Sequence, residues 1–118
     1  MTEIETIELA RAYVALSNAH RVDLIGPMFA DDAVYYSSAV GEYQGVESIS
    51  EMMRAFFARY PDVFWLSEDF RYASNRVSFS FSLQAIDAHS GSSLQRRGIE
   101  HIEFDLQGRI KRLEVQTS

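Results

Sequence analysis

Val77-Ser78-Phe79-Ser80-Phe81-Ser82-Leu83-Gln84-Ala85 alternates apolar and polar side chains without a break. A period of two over nine residues is the pattern of a strand with one buried and one open face. The flanking segments extend it into a run of hairpins. Downstream, His89-Ser90-Gly91-Ser92 reads as a turn, Leu94 to Phe104 as the return strand, Gln107-Gly108 as a second turn and Ile110 to Gln116 as a last strand. Upstream, Phe64 to Tyr72 is a strand that leads into a turn at Ser74-Asn75. The first half of the chain has a different rhythm. Thr2-x-x-Glu5 has the form of a capping box, and Leu9, Ala12, Tyr13 and Leu16 then recur at helical spacing. Val22, Ile25 and Phe29 mark a second, shorter helix broken near Gly26-Pro27. Val34 to Ser38 is β-prone, Gly41 and Gly45 punctuate a loop, and Val46 to Tyr60 is a third helix stopped by Pro61. Helices followed by antiparallel hairpins argue an α+β fold.

The chain has 118 residues, of which 47% are hydrophobic, enough to build one core, and residues 1–118 read as a single domain. It has no cysteine, which excludes disulfides and thiolate metal sites. No apolar run is long enough to span a bilayer, and Met1-Thr2-Glu3-Ile4-Glu5 lacks the blocks of a signal peptide, so a cytoplasmic location is the default expectation. The formal net charge of −6 argues against nucleic acid as a partner, because phosphate contacts need clustered Lys and Arg. Arg96-Arg97 and Arg109, Lys111 and Arg112 form a local exception that could bind an anion; the favoured reading is that they pair with surface carboxylates.

Three stretches carry a family likeness. They are Tyr13-Val14-Ala15-Leu16-Ser17-Asn18-Ala19 with Phe29-Ala30-Asp31-Asp32-Ala33, then Tyr43-Gln44-Gly45-Val46-Glu47-Ser48-Ile49, then Ile99-Glu100-His101-Ile102-Glu103-Phe104 with Gly108-Arg109-Ile110. In these the chain resembles the nuclear-transport-factor-2-like superfamily, in its ketosteroid isomerase and SnoaL-like branch. The resemblance implies a cone-shaped, cystatin-like roll in which a curved, mostly antiparallel sheet wraps around N-terminal helices and leaves a cavity. It also implies a homodimer formed through the outer sheet face, where the row Ser78, Ser80 and Ser82 would lie. It places Tyr13 and Glu100 on the family's oxyanion-hole tyrosine and carboxylic acid, and Ser37 on its aspartate base. In ketosteroid isomerases that acid is kept neutral by an apolar site.

The chemistry of the pair can be reasoned separately. A phenol and a protonated carboxyl aimed at one point stabilise a forming enolate oxygen. Protonation at neutral pH needs a dry site, which Ile102 and Phe104 on the strand face of Glu100 would supply. Glu in place of Asp moves the acid by about 1.5 Å. Ser37 cannot take a proton from carbon unless another group first takes its own, and no His is placed to do so. The expected cavity wall is Phe29, Tyr36, Met52, Phe56, Phe81, Leu83, Ile102 and Leu113, with catalytic candidates Tyr13, Glu100 and Ser37 and neither metal nor cofactor.

Each candidate has a plainer alternative. Tyr13 could be a core residue, and Glu100 would be exposed if the strand register were reversed. Asp31-Asp32 reads as a turn closing the second helix, His101 as an outer-face residue, and His20 and His89 as solvated loop residues. The function implied is a small-molecule enzyme of isomerase or polyketide-cyclase type acting on an apolar ligand, and not a true ketosteroid isomerase. The alternatives are a non-catalytic binding domain for an apolar small molecule and a protein-interaction module.

Overall fold

Helix α1 (Glu3–Asn18) starts where the sequence places a cap. The Thr2 hydroxyl accepts the Glu5 N–H at 3.1 Å, and the Glu5 carboxylate accepts the Thr2 N–H at 2.9 Å. The computed structural model describes residues 1–118. The buried stripe of α1 is Thr6, Ala10, Tyr13 and Ser17, and Ala12, expected inside, is exposed. Apolar spacing misplaces the stripe because two of its members are hydroxyl residues. Thr6 donates to the Thr2 carbonyl at 2.7 Å and Ser17 to the Tyr13 carbonyl at 2.9 Å, so each is buried with its polarity satisfied.

A short helix α2 (Val22–Ile25) and a 3₁₀ turn (Gly26–Met28) lead into strand β1 (Phe29–Ser37). Asp31 and Asp32 are not a turn. They are exposed residues within β1, where the pairing with the last strand shifts register between Phe29 and Val34. The segment read as a loop contains strand β2 (Gly41–Gln44), which folds back on β1. Helix α3 (Val46–Arg59) follows, then β3 (Phe64–Ala73), β4 (Arg76–Ile86), β5 (Ser93–Phe104) and β6 (Ile110–Thr117). The six strands form one sheet in the order β2-β1-β6-β5-β4-β3, antiparallel except for the parallel pair β1 and β6. The expected α+β roll, with helices held in a curved sheet, is therefore the fold.

The sheet's inner face carries the alternation seen in the sequence. Val77, Phe79, Phe81, Leu83 and Ala85 are all buried, as are Ile102 and Phe104 on β5. On β6 the inward residues Ile110 and Leu113 are three apart rather than two. Lys111 is the extra residue, since Glu103 faces Arg112 and Phe104 faces Ile110. A second bulge sets Asp69 and Phe70 of β3 against the single residue Phe79, with Asp69 at φ +59°. Such bulges bend strands and increase their twist. His20 is also reassigned. It lies at φ +57°, its Nε2 is 3.0 Å from the Val63 carbonyl, and its ring stacks on Phe57 at 4.3 Å. It ties the end of α1 to the end of α3 rather than standing in solvent.

Gly98 marks the closest approach of β5 and β6. A Cβ there would meet the Gln116 carbonyl oxygen at 2.0 Å. Backbone cannot yield as a side chain can, so the strands would have to separate. Gly98→Ala is expected to destabilise the fold by about 2 kcal/mol or more, measured by urea unfolding.

Candidate active site

The register of the sheet assembles the site. Ser37 pairs with Val115, Val115 with Glu100 and Glu100 with Phe79, so one row of inward residues crosses four strands. Ser37 and Glu100 stand two strands apart, about 10 Å between Cα atoms. Tyr13 reaches the same space from α1. Together they line a cavity of about 260 Å³ between sheet and helices, with 15 hydrophobic residues among its 21. Of the expected wall, Met52, Phe56, Phe81 and Leu83 line this cavity.

Phe29, Tyr36, Ile102 and Leu113 do not. Phe29 is buried behind Tyr13, edge-on to its ring at 6.0 Å, and so braces the phenol. Ile102 and Leu113 are fully buried, one inward row beyond Glu100 and Val115, and are sealed in the core. Tyr36 lies on the opposite face of β1 from Ser37, and its neighbour Tyr35 takes the inward place. Tyr35 pairs across the hairpin with Tyr43, which also lines the cavity. Trp65, Phe57 and Tyr60 complete the aromatic wall around Phe56, with ring centroids 5.0 to 6.1 Å from it. Strand parity could have found Tyr35, since it is two residues from Ser37. Trp65 and Tyr43 depend on strand pairing that no local pattern shows.

Glu100 is 6% exposed, and its Oε2 is fully buried with no hydrogen-bond partner. Loss of solvation alone pushes its pKa from 4.5 to about 8. Tyr13 is raised well above the usual phenol value by burial, then by the nearby Tyr35 and Glu100, with the Ser17 hydroxyl working the other way. Tyr35 is raised by burial and by Glu100, while Arg96 opposes the shift. At neutral pH these two phenols and the carboxyl all hold their protons. The cavity therefore presents O–H donors in an apolar wall.

No second carboxylate and no histidine lines the cavity. Ser37 is 4% exposed, and its Oγ accepts the Ala39 N–H at 3.2 Å, which fixes the turn into β2. No group of three His, Asp or Glu side chains converges to hold a metal. His101 faces away on the outer side, its Nδ1 2.6 Å from the Ser78 hydroxyl.

The mouth is set by the lining residues that reach solvent, Val40, Ala55, Arg59, Arg96 and Thr117. Arg59 pairs with Asp87 at 2.8 Å. Asp87 also accepts the N–H groups of His89 and Ser90, and these bonds with Arg59 hold it down at about 2. Among the basic residues expected to pair with carboxylates, Lys111 meets Glu103 and Arg112 meets Glu114. Arg96 does not belong to that surface set. It lines the cavity, which parity with Glu100 would have shown.

The model of the SnoaL-like domain matches residues 10–113 of the chain. Solved structures share the fold at low identity. SalBIII, an epoxide hydrolase/cyclase-like enzyme of pyran ring formation in the polyether salinomycin, is 15% identical with a TM-score of 0.86, over 98% of this chain and 92% of that one. An uncharacterised cystatin-fold protein from Novosphingobium aromaticivorans is 23% identical with a TM-score of 0.78, over 93% and 96%. A protein with a ketosteroid isomerase-like fold from Catenulispora acidiphila, in complex with trimethylamine, is 17% identical with a TM-score of 0.82, over 92% and 83%. None of the curated proteins matches the chain significantly in sequence.

The raised pKa of Glu100 has a stability consequence of definite sign. Between pH 4.5 and about 8 the unfolded chain loses this proton and the folded chain keeps it, so stability falls as pH rises through that window. Glu100→Gln removes the term and keeps the shape. The variant is expected to be more stable than wild type at pH 8, on the order of a few kcal/mol, and little different at pH 4. Urea unfolding at the two pH values measures it.

Proposed function

The chain belongs to the SnoaL-like domain family, and from that premise we propose that it is a small-molecule enzyme of isomerase or cyclase type. In this reading Tyr13 and protonated Glu100 donate to an oxygen on which negative charge grows. The observation that carries it is the buried Glu100 carboxyl, unpaired in an apolar cavity beside a buried phenol. An orphaned buried oxygen costs about 1–3 kcal/mol, a cost a bound substrate oxygen would offset. Steroid-type isomerisation by the usual route is excluded from the proposal because the resemblance puts Ser37 where that route needs a base, and no histidine or second carboxylate lines the cavity. That absence favours a second reading, a domain that binds an apolar ligand without turning it over.

Titration with 2-naphthol, whose anion mimics an enolate, tests the donor site. Wild type is expected to bind the naphtholate and Tyr13→Phe to lose that binding. Binding of neutral naphthol alone, indifferent to Tyr13, would leave the binding-domain reading. On a turned-over substrate, Tyr13→Phe should lower turnover roughly a hundredfold or more. The wild-type rate should fall as pH rises through about 8, when Glu100 loses its proton, and Glu100→Gln should turn over more slowly and lack that fall. A rate that instead rises through pH 8 would make Glu100 a base and refute its role as acid.

We further propose that the outer sheet face joins two copies of the chain. Phe64, Leu66, Ile86 and Ile99 are exposed there, interleaved with Ser80, Ser82 and Gln84. Glu68 and Arg97 share the face, and exposed apolar side chains set among groups of both charges suit a self-complementary interface. Light scattering should give a dimer for wild type and a monomer for Leu66→Asp with Ile99→Asp, with 2-naphthol binding unchanged. A monomeric wild type would refute the interface.

A further inference from the structure

Arg96 is the one charged group of the cavity whose charge nothing balances. Three charge-bearing side chains line the space, Arg59, Arg96 and Glu100. Arg59 is neutralised by Asp87 at 2.8 Å, and Glu100 keeps its proton at neutral pH. Arg96 takes part in none of the fold's ion pairs, which are Arg21–Asp23, Arg59–Asp87, Lys111–Glu103 and Arg112–Glu114. Arg96 is half-buried rather than solvated, on an inward position of β5 beside Leu83, which pairs in turn with Trp65. Its field already reaches the buried phenol of Tyr35.

We propose that Arg96 determines the specificity of the cavity by holding a carboxylate of the substrate. This rests on the donor-site reading above and narrows it. The substrate is an apolar, ring-sized molecule with a carbonyl or enolisable oxygen at one end and a carboxylate at the other. Arg96 and Glu100 lie four residues apart on one face of β5, about 13 Å between Cα atoms, and both side chains reach into the space between. A planar guanidinium matches a carboxylate with two parallel hydrogen bonds. Phe81, Leu83, Trp65 and Phe56 offer mainly apolar contact to the ligand, while the buried phenol of Tyr35, which feels both Glu100 and Arg96, adds one donor to the same wall. Arg96 acts on binding and position, away from the reacting oxygen.

The test compares 2-naphthol with 6-hydroxy-2-naphthoate, the same ring system carrying a carboxylate at the far end. Both are titrated by fluorescence on wild type, Arg96→Gln and Arg96→Lys at low salt. The carboxylate is expected to tighten binding to wild type by about tenfold. Arg96→Gln should abolish that gain, so that the two compounds bind the variant alike, and Arg96→Lys should keep part of it. Raising the salt should shrink the gain for wild type and for Arg96→Lys, and leave Arg96→Gln, which has none, as it was. Equal affinity of the two compounds for wild type, or a gain that survives Arg96→Gln, would overturn the assignment and leave the donor site standing. Failure of both compounds to bind wild type would overturn both. Tyr13→Phe separates the two ends, since it should remove naphtholate emission and spare the carboxylate gain.

Discussion

The parity of β5 decides where the buried acid, the close approach of β6 and the unpaired arginine fall. Its inward positions hold Arg96, Gly98, Glu100, Ile102 and Phe104, and each does a different job. Ile102 and Phe104 close the core, Glu100 faces the cavity, Gly98 lets β6 approach and Arg96 reaches the mouth. A slip of one residue would turn all five outward and bring Arg97, Ile99, His101 and Glu103 in. Two neighbours hold the register. Phe79 opposite Glu100 is almost wholly buried and stacks on Phe70 at 4.6 Å, with the Arg11 guanidinium 4.3 Å from the Phe70 ring. On the other side Val115 separates Glu100 from Ser37. The acid is dry because the strands beside it are in register.

Much of this was legible in the sequence where the signal is local. The capping box of α1, the alternation of β4 and the turn at Ser74-Asn75, both at positive φ, are determined by neighbours along the chain. The parity of Ile102 and Phe104 favours an inward Glu100 from local pattern alone, and the pairing with Phe79 and Val115 fixes it. The illegible parts are those decided across strands. Nothing near Asp31-Asp32 shows that Phe29 already pairs with Ile110, so the pair looked like a turn. Thr6 and Ser17 read as polar although their hydroxyls are spent on the helix's own carbonyls. Tyr35 and Tyr36 carry the same ring, and only the parity shared with Ser37 puts Tyr35 in the cavity and Tyr36 outside it. Ile102 and Leu113, expected in the cavity wall, face inward but are fully buried and border no open space.

The donor set limits which reactions the proposed site could assist. Groups that only give hydrogen bonds lower the energy of states with charge on oxygen. They do nothing to remove a proton from carbon. With Ser37 bound to the turn at Ala39 and no other base in the wall, the nucleophile or the acidic C–H must come with the substrate. Ring closures and rearrangements of already acidic or electrophilic molecules satisfy that condition, whereas a simple ketone does not. The same limit bears on pH. Glu100 at about 8 is a donor near neutrality, and above that it becomes a buried charge that would repel an enolate. Arg96 at the mouth is then the one lining group that keeps a fixed charge with no ionic partner in the fold. If it takes the carboxylate, it orients the ligand by its far end. The neutral end then meets Tyr13 and Glu100 with no ionic competitor, and the two ends of the cavity cannot exchange ligands.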